Sequence, residues 1–207
     1  MRGMRKKHLA ILLSQLSPHP KPKLRWETYT LDAESAADIA YIAGQINDDI
    51  RGKRVVDLGC GTGILAISTS LLGVGFVVGV DIDRDAVRVA EKNAEALNAE
   101  VNFVIGDIGC VKGPFDTAIM NPPFGSWRRG ADVRFLEKAL EISKVTYSLH
   151  KRADSNRSFL LRKISSFGGV VDRIYEMRIF IPRTFDFHRK ARYSVEVDLY
   201  RILKVKS

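Results

Sequence analysis

Arg54-Val55-Val56-Asp57-Leu58-Gly59-Cys60-Gly61-Thr62-Gly63-Ile64 is the stretch from which the fold is read. Residues 54–58 carry the β-branched run of a buried strand, three glycines make a tight turn, and residues 64–72 read as a helix. A strand that turns through glycines into a helix is the opening unit of an open α/β sheet. It exposes bare backbone and helix N–H groups to a ligand. The spacing is not the dinucleotide G-x-G-x-x-G, because Ile64 stands where the third glycine belongs. Asp57 just before the turn disfavours a pyrophosphate and favours a cation.

Working outward, strands and helices alternate. Residues 75–80 read as a strand, 84–97 as a helix with Val87, Ala90, Ala94 and Leu97 on one face, and 101–105 and 116–120 as strands. Residues 132–143 and 155–165 read as helices around a strand at 144–149. The chain closes with two longer strands, 170–180 and 194–203, joined by a loop without a helix. Upstream, 33–46 has helical spacing, 8–16 a short helix, and Pro18, Pro20 and Pro22 an extended linker. The reading is α/β: seven strands, mostly parallel, with an antiparallel C-terminal edge hairpin and helices on both faces. Strand 101–105 is expected at a sheet edge. The uncharged interval between Asp57 and Asp81 is long enough to cross a bilayer, but its six glycines divide it into turn, buried helix, turn and buried strand, so no membrane span is expected.

Acids close three successive strands: Asp57, Asp81 and Asp107. Open α/β sheets bind ligands at the carboxyl ends of their strands. There Asp81 suits a pair of ribose hydroxyls, with Ile82 packing on a base, and Asp107 suits a base amino group, with Ile108 at the ring edge. Asp83 reads as the cap of the next helix. The fourth strand ends in Asn121-Pro122-Pro123-Phe124, where two prolines fix a rigid loop. An exocyclic or amide nitrogen is a poor nucleophile because its lone pair is delocalised. If the Asn121 side-chain oxygen and the Pro122 carbonyl accept its N–H bonds, the nitrogen is drawn towards tetrahedral geometry. Phe124 can then stack on the planar substrate, and no general base is needed before attack.

Asp57-Leu58-Gly59-Cys60-Gly61-Thr62-Gly63 resembles motif I of the S-adenosylmethionine-dependent methyltransferases, whose cofactor is cationic and has no phosphate. Ile119-Met120-Asn121-Pro122-Pro123-Phe124-Gly125, Tyr147-Ser148-Leu149-His150-Lys151, Phe187-His188 and Glu196-Val197-Asp198-Leu199 resemble the small methyltransferase-like family that makes N6-methyladenine in small-subunit ribosomal RNA. The resemblance runs from about residue 24 to 203. It implies a Rossmann-like sheet and a cofactor site of Asp57, Gly59, Gly61, Thr62, Gly63, Ile64, Asp81, Ile82, Asp107, Ile108 and Asn121. It implies catalysis by Asn121, Pro122, Pro123 and Phe124, and pairing with a small zinc-binding activator subunit. Family members carry Glu-Gln-Tyr-x-Thr before the first core helix. Here the stretch is Glu27-Thr28-Tyr29-Thr30-Leu31, which leaves Thr28 and Thr30 as the candidate cofactor contacts.

Net charge is +9, made of +7 over residues 1–25, −8 over 26–120 and +10 over 121–207. An acidic middle between basic ends points to a polyanionic partner. We expect a basic extension at 1–25 and a methyltransferase domain at 26–207. Candidate RNA contacts are Arg128 and Arg129 after the proline loop, His150 and Lys151 at a strand end, and Phe187, His188, Arg189, Lys190 and Arg192 in the last hairpin. Cys60 and Cys110 lack metal-ligand spacing, so no metal site is expected. The start lacks a signal-peptide pattern, and a cytoplasmic protein is expected. Two rival functions stand beside adenine methylation: glutamine-amide methylation of a protein, and a cofactor-binding RNA-assembly protein with little turnover.

Overall fold

The computed structural model describes residues 4–20, 31–123, 130–182 and 192–205. Its helices are α1 (Lys6–Leu13), α2 (Ala33–Tyr41), α3 (Ile64–Leu71), α4 (Arg84–Ala96), α5 (Ala131–Ile142) and α6 (Asp154–Ser166). Its strands are β1 (Arg54–Leu58), β2 (Phe76–Asp81), β3 (Asn102–Ile105), β4 (Phe115–Met120), β5 (Ser143–Lys151), β6 (Gly169–Pro182) and β7 (Arg192–Lys204). They form one sheet in the order β3-β2-β1-β4-β5-β7-β6. The first five run parallel, and β7 and β6 are antiparallel. The expected seven-stranded α/β architecture, its C-terminal hairpin and its β3 edge are all present.

Period-two alternation in β1 shows how both faces are covered. Val55 packs with Leu9, Leu13, Ile39 and Ile67 on the α1–α3 face. Val56 and Leu58 pack with Leu136, Leu140, Leu160 and Ile164 on the α5–α6 face. The uncharged stretch between Asp57 and Asp81 forms α3 and β2. Among the described residues no helix is long and apolar enough to cross a membrane.

Within the basic segment 1–25, Leu9 and Leu13 of α1 are buried in the core with residues of α2 and α3. One expectation needs correcting. The helix read over 33–46 is α only as far as Tyr41. Residues Ile42–Ile46 form a π turn, in which the Asn47 N–H and its side-chain Nδ2 both donate to the Ile42 carbonyl, at 3.2 and 2.9 Å.

β7 is anchored by Asp198, which is 1% exposed and accepts from Arg152 Nε at 3.1 Å and from Arg157 Nε and Nη2 at 2.6 and 2.7 Å. Burial alone would raise this carboxyl, but the two guanidiniums outweigh it and hold it below the usual range. Stability from the cluster is therefore present above the unfolded carboxylate pKa, about 3.9, and is lost as pH falls through the lower folded value. Asp198→Ala is expected to lower the thermal midpoint by about 5 °C, and to flatten the acid limb of a midpoint-against-pH plot. An unchanged acid limb would show that the cluster does not carry this dependence.

Candidate active site

The parallel strands point their carboxyl ends to one edge, and strand order reverses between β1 and β4. The glycine turn after β1 and the Asn-Pro-Pro loop after β4 therefore flank the switch-point crevice where such sheets bind ligands. Gly63 is the N-cap of α3 at φ 86°, and a Cβ there would lie 2.9 Å from the Phe103 ring. Lacking a side chain, Gly63 cannot cap the helix. Asp57 does so from nine residues upstream, its Oδ2 accepting the Ala66 N–H at 3.0 Å. Asp57 Oδ1 is buried with no hydrogen-bond partner. Burial pushes the carboxyl up to about 8; the Ala66 bond opposes this, and the Asp81 charge adds to it. Cys60 is buried, and its thiol is raised far from reactivity by that burial and by the two carboxylates.

Asp81 crosses to the same turn. Its Oδ2 accepts the Gly61 N–H and its Oδ1 the Asp83 N–H, both at 2.8 Å. Burial raises its carboxyl, and these two bonds oppose the rise. Ile82 beside it is 45% exposed, an apolar platform at the rim. Asp83 caps α4 through the Asp85 N–H at 3.0 Å, as read from the sequence. Asp107 caps the turn at Gly109 and pairs through both oxygens with Arg134 of α5. Ile108 is 5% exposed and packed into the core under α5, so its side chain offers the site little surface. Thr62 and Ile64 are buried at the mouth of α3.

At the end of β4, Pro122 is buried and Asn121 half-buried, and Asn121 Oδ1 is buried without a partner. Two orphaned acceptors, Asp57 Oδ1 near the end of β1 and Asn121 Oδ1 just past the end of the neighbouring β4, thus lie at the carboxyl edge of adjacent strands. Buried acceptors are costly unless a donor or cation reaches them, and such exceptions mark sites.

His150 is not an RNA contact. Its side chain is buried against the edge of Tyr200, with Nε2 2.6 Å from Ser148 Oγ, and burial pushes its pKa down to about 4. A buried neutral imidazole cannot grip a phosphate. Lys151, next along β5, is exposed. Thr28, Thr30, Phe124, Arg128, Arg129, Phe187, His188, Arg189 and Lys190 lie outside the described residues. Arg192 begins β7, and only its backbone is described.

Sequence reasoning missed Phe103, Phe135, Arg134 and Asn93. Phe135 covers Gly59, where a Cβ would lie 2.7 Å from its ring. Asn93 has a readable signal: it is a polar residue on the apolar face of α4, in step with Ala86, Ala90 and Ala94.

The family model for the methyltransferase small domain matches residues 35–146, which span α2 to β5 and hold both loops of the crevice. The chain belongs to the methyltransferase small domain family. This methyltransferase is 34% identical to the rRNA N(6)-adenosine-methyltransferase METTL5 of Danio rerio, over 96% of this chain and 98% of that one. It is 38% identical to the Drosophila melanogaster enzyme of the same name, over 87% and 88%. Its structure superimposes on the crystal structure of the Pyrococcus horikoshii protein PH1948 with a TM-score of 0.90, at 40% identity over 98% and 99% of the two chains. The methyltransferase takes S-adenosylmethionine as its cofactor. The residues present fit that molecule: an unpartnered buried carboxylate oxygen suits a cation, and a glycine turn without phosphate-binding spacing suits a cofactor without phosphate.

Proposed function

We propose that the enzyme methylates adenine N6 in structured RNA, and specifically in small-subunit ribosomal RNA. The observation that carries this is Asn121 Oδ1, an acceptor held without a partner at the end of β4, beside a proline-fixed carbonyl. The names of the relatives support adenine in ribosomal RNA, and the basic ends of the chain support a polyanion.

S-adenosylmethionine supplies the electrophilic methyl group. Asp57 would face its positive charge, Asp81 would accept from the ribose, Ile82 would pack on the cofactor's adenine, and Asp107, steadied by Arg134, would accept from the adenine amino group. Asn121 Oδ1 and the Pro122 carbonyl would accept the two N–H bonds of the target amino group and orient its lone pair for transfer; transfer would leave S-adenosylhomocysteine, and the methylated nitrogen would shed one proton to water. Phe124 stacks on the target base, taken out of its helix to reach the site. Lys151, Arg128, Arg129, His188, Arg189, Lys190 and Arg192 grip the RNA backbone, with Phe187 offering a ring to a base. The exposed β3 edge, with Val104 and Ile105 each 47% exposed, offers a strand-pairing site for a small zinc-binding activator, in a cytoplasmic setting.

The test is methyl transfer from labelled cofactor to isolated ribosomal subunits, followed by nucleoside analysis. N6-methyladenosine in small-subunit RNA is expected. Label in protein glutamine, or no transfer with or without the activator, would overturn the proposal.

A further inference from the structure

The N-terminal segment touches the cofactor cradle at two separate places. At the first, Asn93 of α4 is 3% exposed. Its Oδ1 accepts the Ser17 N–H at 2.8 Å, and its Nδ2 donates to the Ser17 carbonyl and to the Thr62 carbonyl, both at 3.0 Å. One side chain therefore ties the segment after α1 to the glycine turn. At the second, His19 is buried with Nε2 3.3 Å from Asp83 Oδ2, both side chains being 3% exposed. The Asp83 N–H in turn donates to Asp81 Oδ1. His19 thus reaches the ribose acceptor through one intervening residue.

The segment is built to hold this position. Pro18 and Pro20 flank His19 and restrict its backbone to extended geometry. α1 is fixed upstream by Leu9 and Leu13 in the core. A flexible basic arm would need none of this. Buried polar groups that bridge elements about seventy residues apart cost desolvation, and they persist where their geometry is constrained from both sides.

We propose that residues 17–19 form a brace for the cofactor cradle, with His19 and Asn93 as positioning residues that hold Asp81 and the turn at residues 59–63 in binding geometry. Neither residue needs to touch the cofactor. The brace acts on affinity by reducing the reorganisation that binding otherwise requires. The proposal rests on reading residues 59–63 and Asp81 as the cofactor site.

Cofactor affinity is measured by calorimetry on folded full-length variants, well below their thermal midpoints. His19→Leu, which fills the space without the polar contact, and Asn93→Ala are each expected to weaken S-adenosylmethionine by about tenfold. His19→Gln, whose Nε2 can again donate to Asp83, is expected to restore affinity to within about threefold. In steady state the cofactor KM rises by a similar factor, while kcat at saturation changes by less than about threefold. A residue that served only folding would lower the midpoint and leave this split unmoved. Asp81→Ala is the control and is expected to lose about tenfold or more. If Asp81→Ala keeps native affinity, the cofactor reading itself fails. If it loses affinity while His19→Leu and Asn93→Ala stay within about twofold of native, the brace alone is overturned.

Coupling is reciprocal, so native protein gives a test that needs no variant. Saturating S-adenosylhomocysteine is expected to slow exchange of the Ser17 N–H by about tenfold. Exchange unchanged by the ligand overturns the brace.

Discussion

Asn121→Ala is expected to lower the single-turnover rate of methyl transfer by about a hundredfold or more, with cofactor affinity within about twofold of native. The asymmetry follows from where the side chain stands. Its Oδ1 is buried and bonded to nothing, so alanine removes an acceptor without breaking an existing hydrogen bond at that atom. Pro122 and Pro123 keep the backbone of the loop in place whatever stands at 121. The cofactor cradle on β1 and β2 is held by Gly61, Ala66 and Asp83 N–H groups, none of which involves Asn121. The missing interaction falls on the target nitrogen as it loses planarity, and hence on the chemical step. Asn121→Asp keeps an acceptor at the same reach and is expected to retain more of the rate than alanine does. The measurement is a rapid-quench single turnover at saturating RNA, beside calorimetry for the cofactor. A native rate in Asn121→Ala would remove the loop from catalysis and leave it a strand-end turn.

What the sequence made legible, and what it did not, divides along a physical line. β1, α3, β2 and α4 follow from local pattern: β-branched runs, positive-φ glycines and a helical apolar stripe need no distant partner to be recognised. The acids at the ends of β1 and β2 are legible for the same reason, since an open parallel sheet fixes where strand ends lie. His150 was misread because its strand position does not say which face it takes. Ser148 pairs with Met120, whose side chain packs under α5 and α6, and two residues on His150 turns the same way into the protein. The π turn at Ile42–Ile46 depends on Asn47 reaching back to one carbonyl, and Asn47 also meets Tyr175 of β6 at 3.0 Å, a contact 128 residues away. The place of α1 in the core likewise depends on α2 and α3, which a basic composition conceals.

The charge pattern gains a different sense in three dimensions. Glu34, Asp85, Glu91 and Glu95 of the acidic middle lie exposed on helices, but Asp57, Asp81 and Asp83 are drawn into one corner at the end of β1 and β2. Two carboxylates there are raised by burial, and each acts on the other or on its neighbour. Without a cation such a corner is electrostatically unfavourable, and it becomes favourable when one enters.

Cofactor affinity is accordingly expected to rise with pH up to about 8 and then level off. Asp57 sits with its carboxyl pushed up to about 8, so at neutral pH the empty site holds it largely protonated. Near a bound sulfonium and ammonium the charged form is favoured, and its pKa falls. Between the bound and free values each binding event releases a proton, and affinity gains up to about tenfold per pH unit, about fiftyfold from pH 6 to 8 if the bound value lies well below 6. The sign is opposite for the empty fold. A carboxyl raised above its unfolded value contributes stability that is present at low pH and lost as pH rises through about 8. Calorimetry in two buffers of different ionisation enthalpy counts the released proton directly. The cofactor's own amino group also titrates near this range, and Asp57→Asn removes only the protein's part, so the slope lost in that variant belongs to Asp57. The amide in Asp57→Asn keeps a side-chain oxygen for the Ala66 N–H, which retains the α3 cap and lets the variant fold. Equal proton release by the native protein and Asp57→Asn would place the cofactor's charge elsewhere in the crevice.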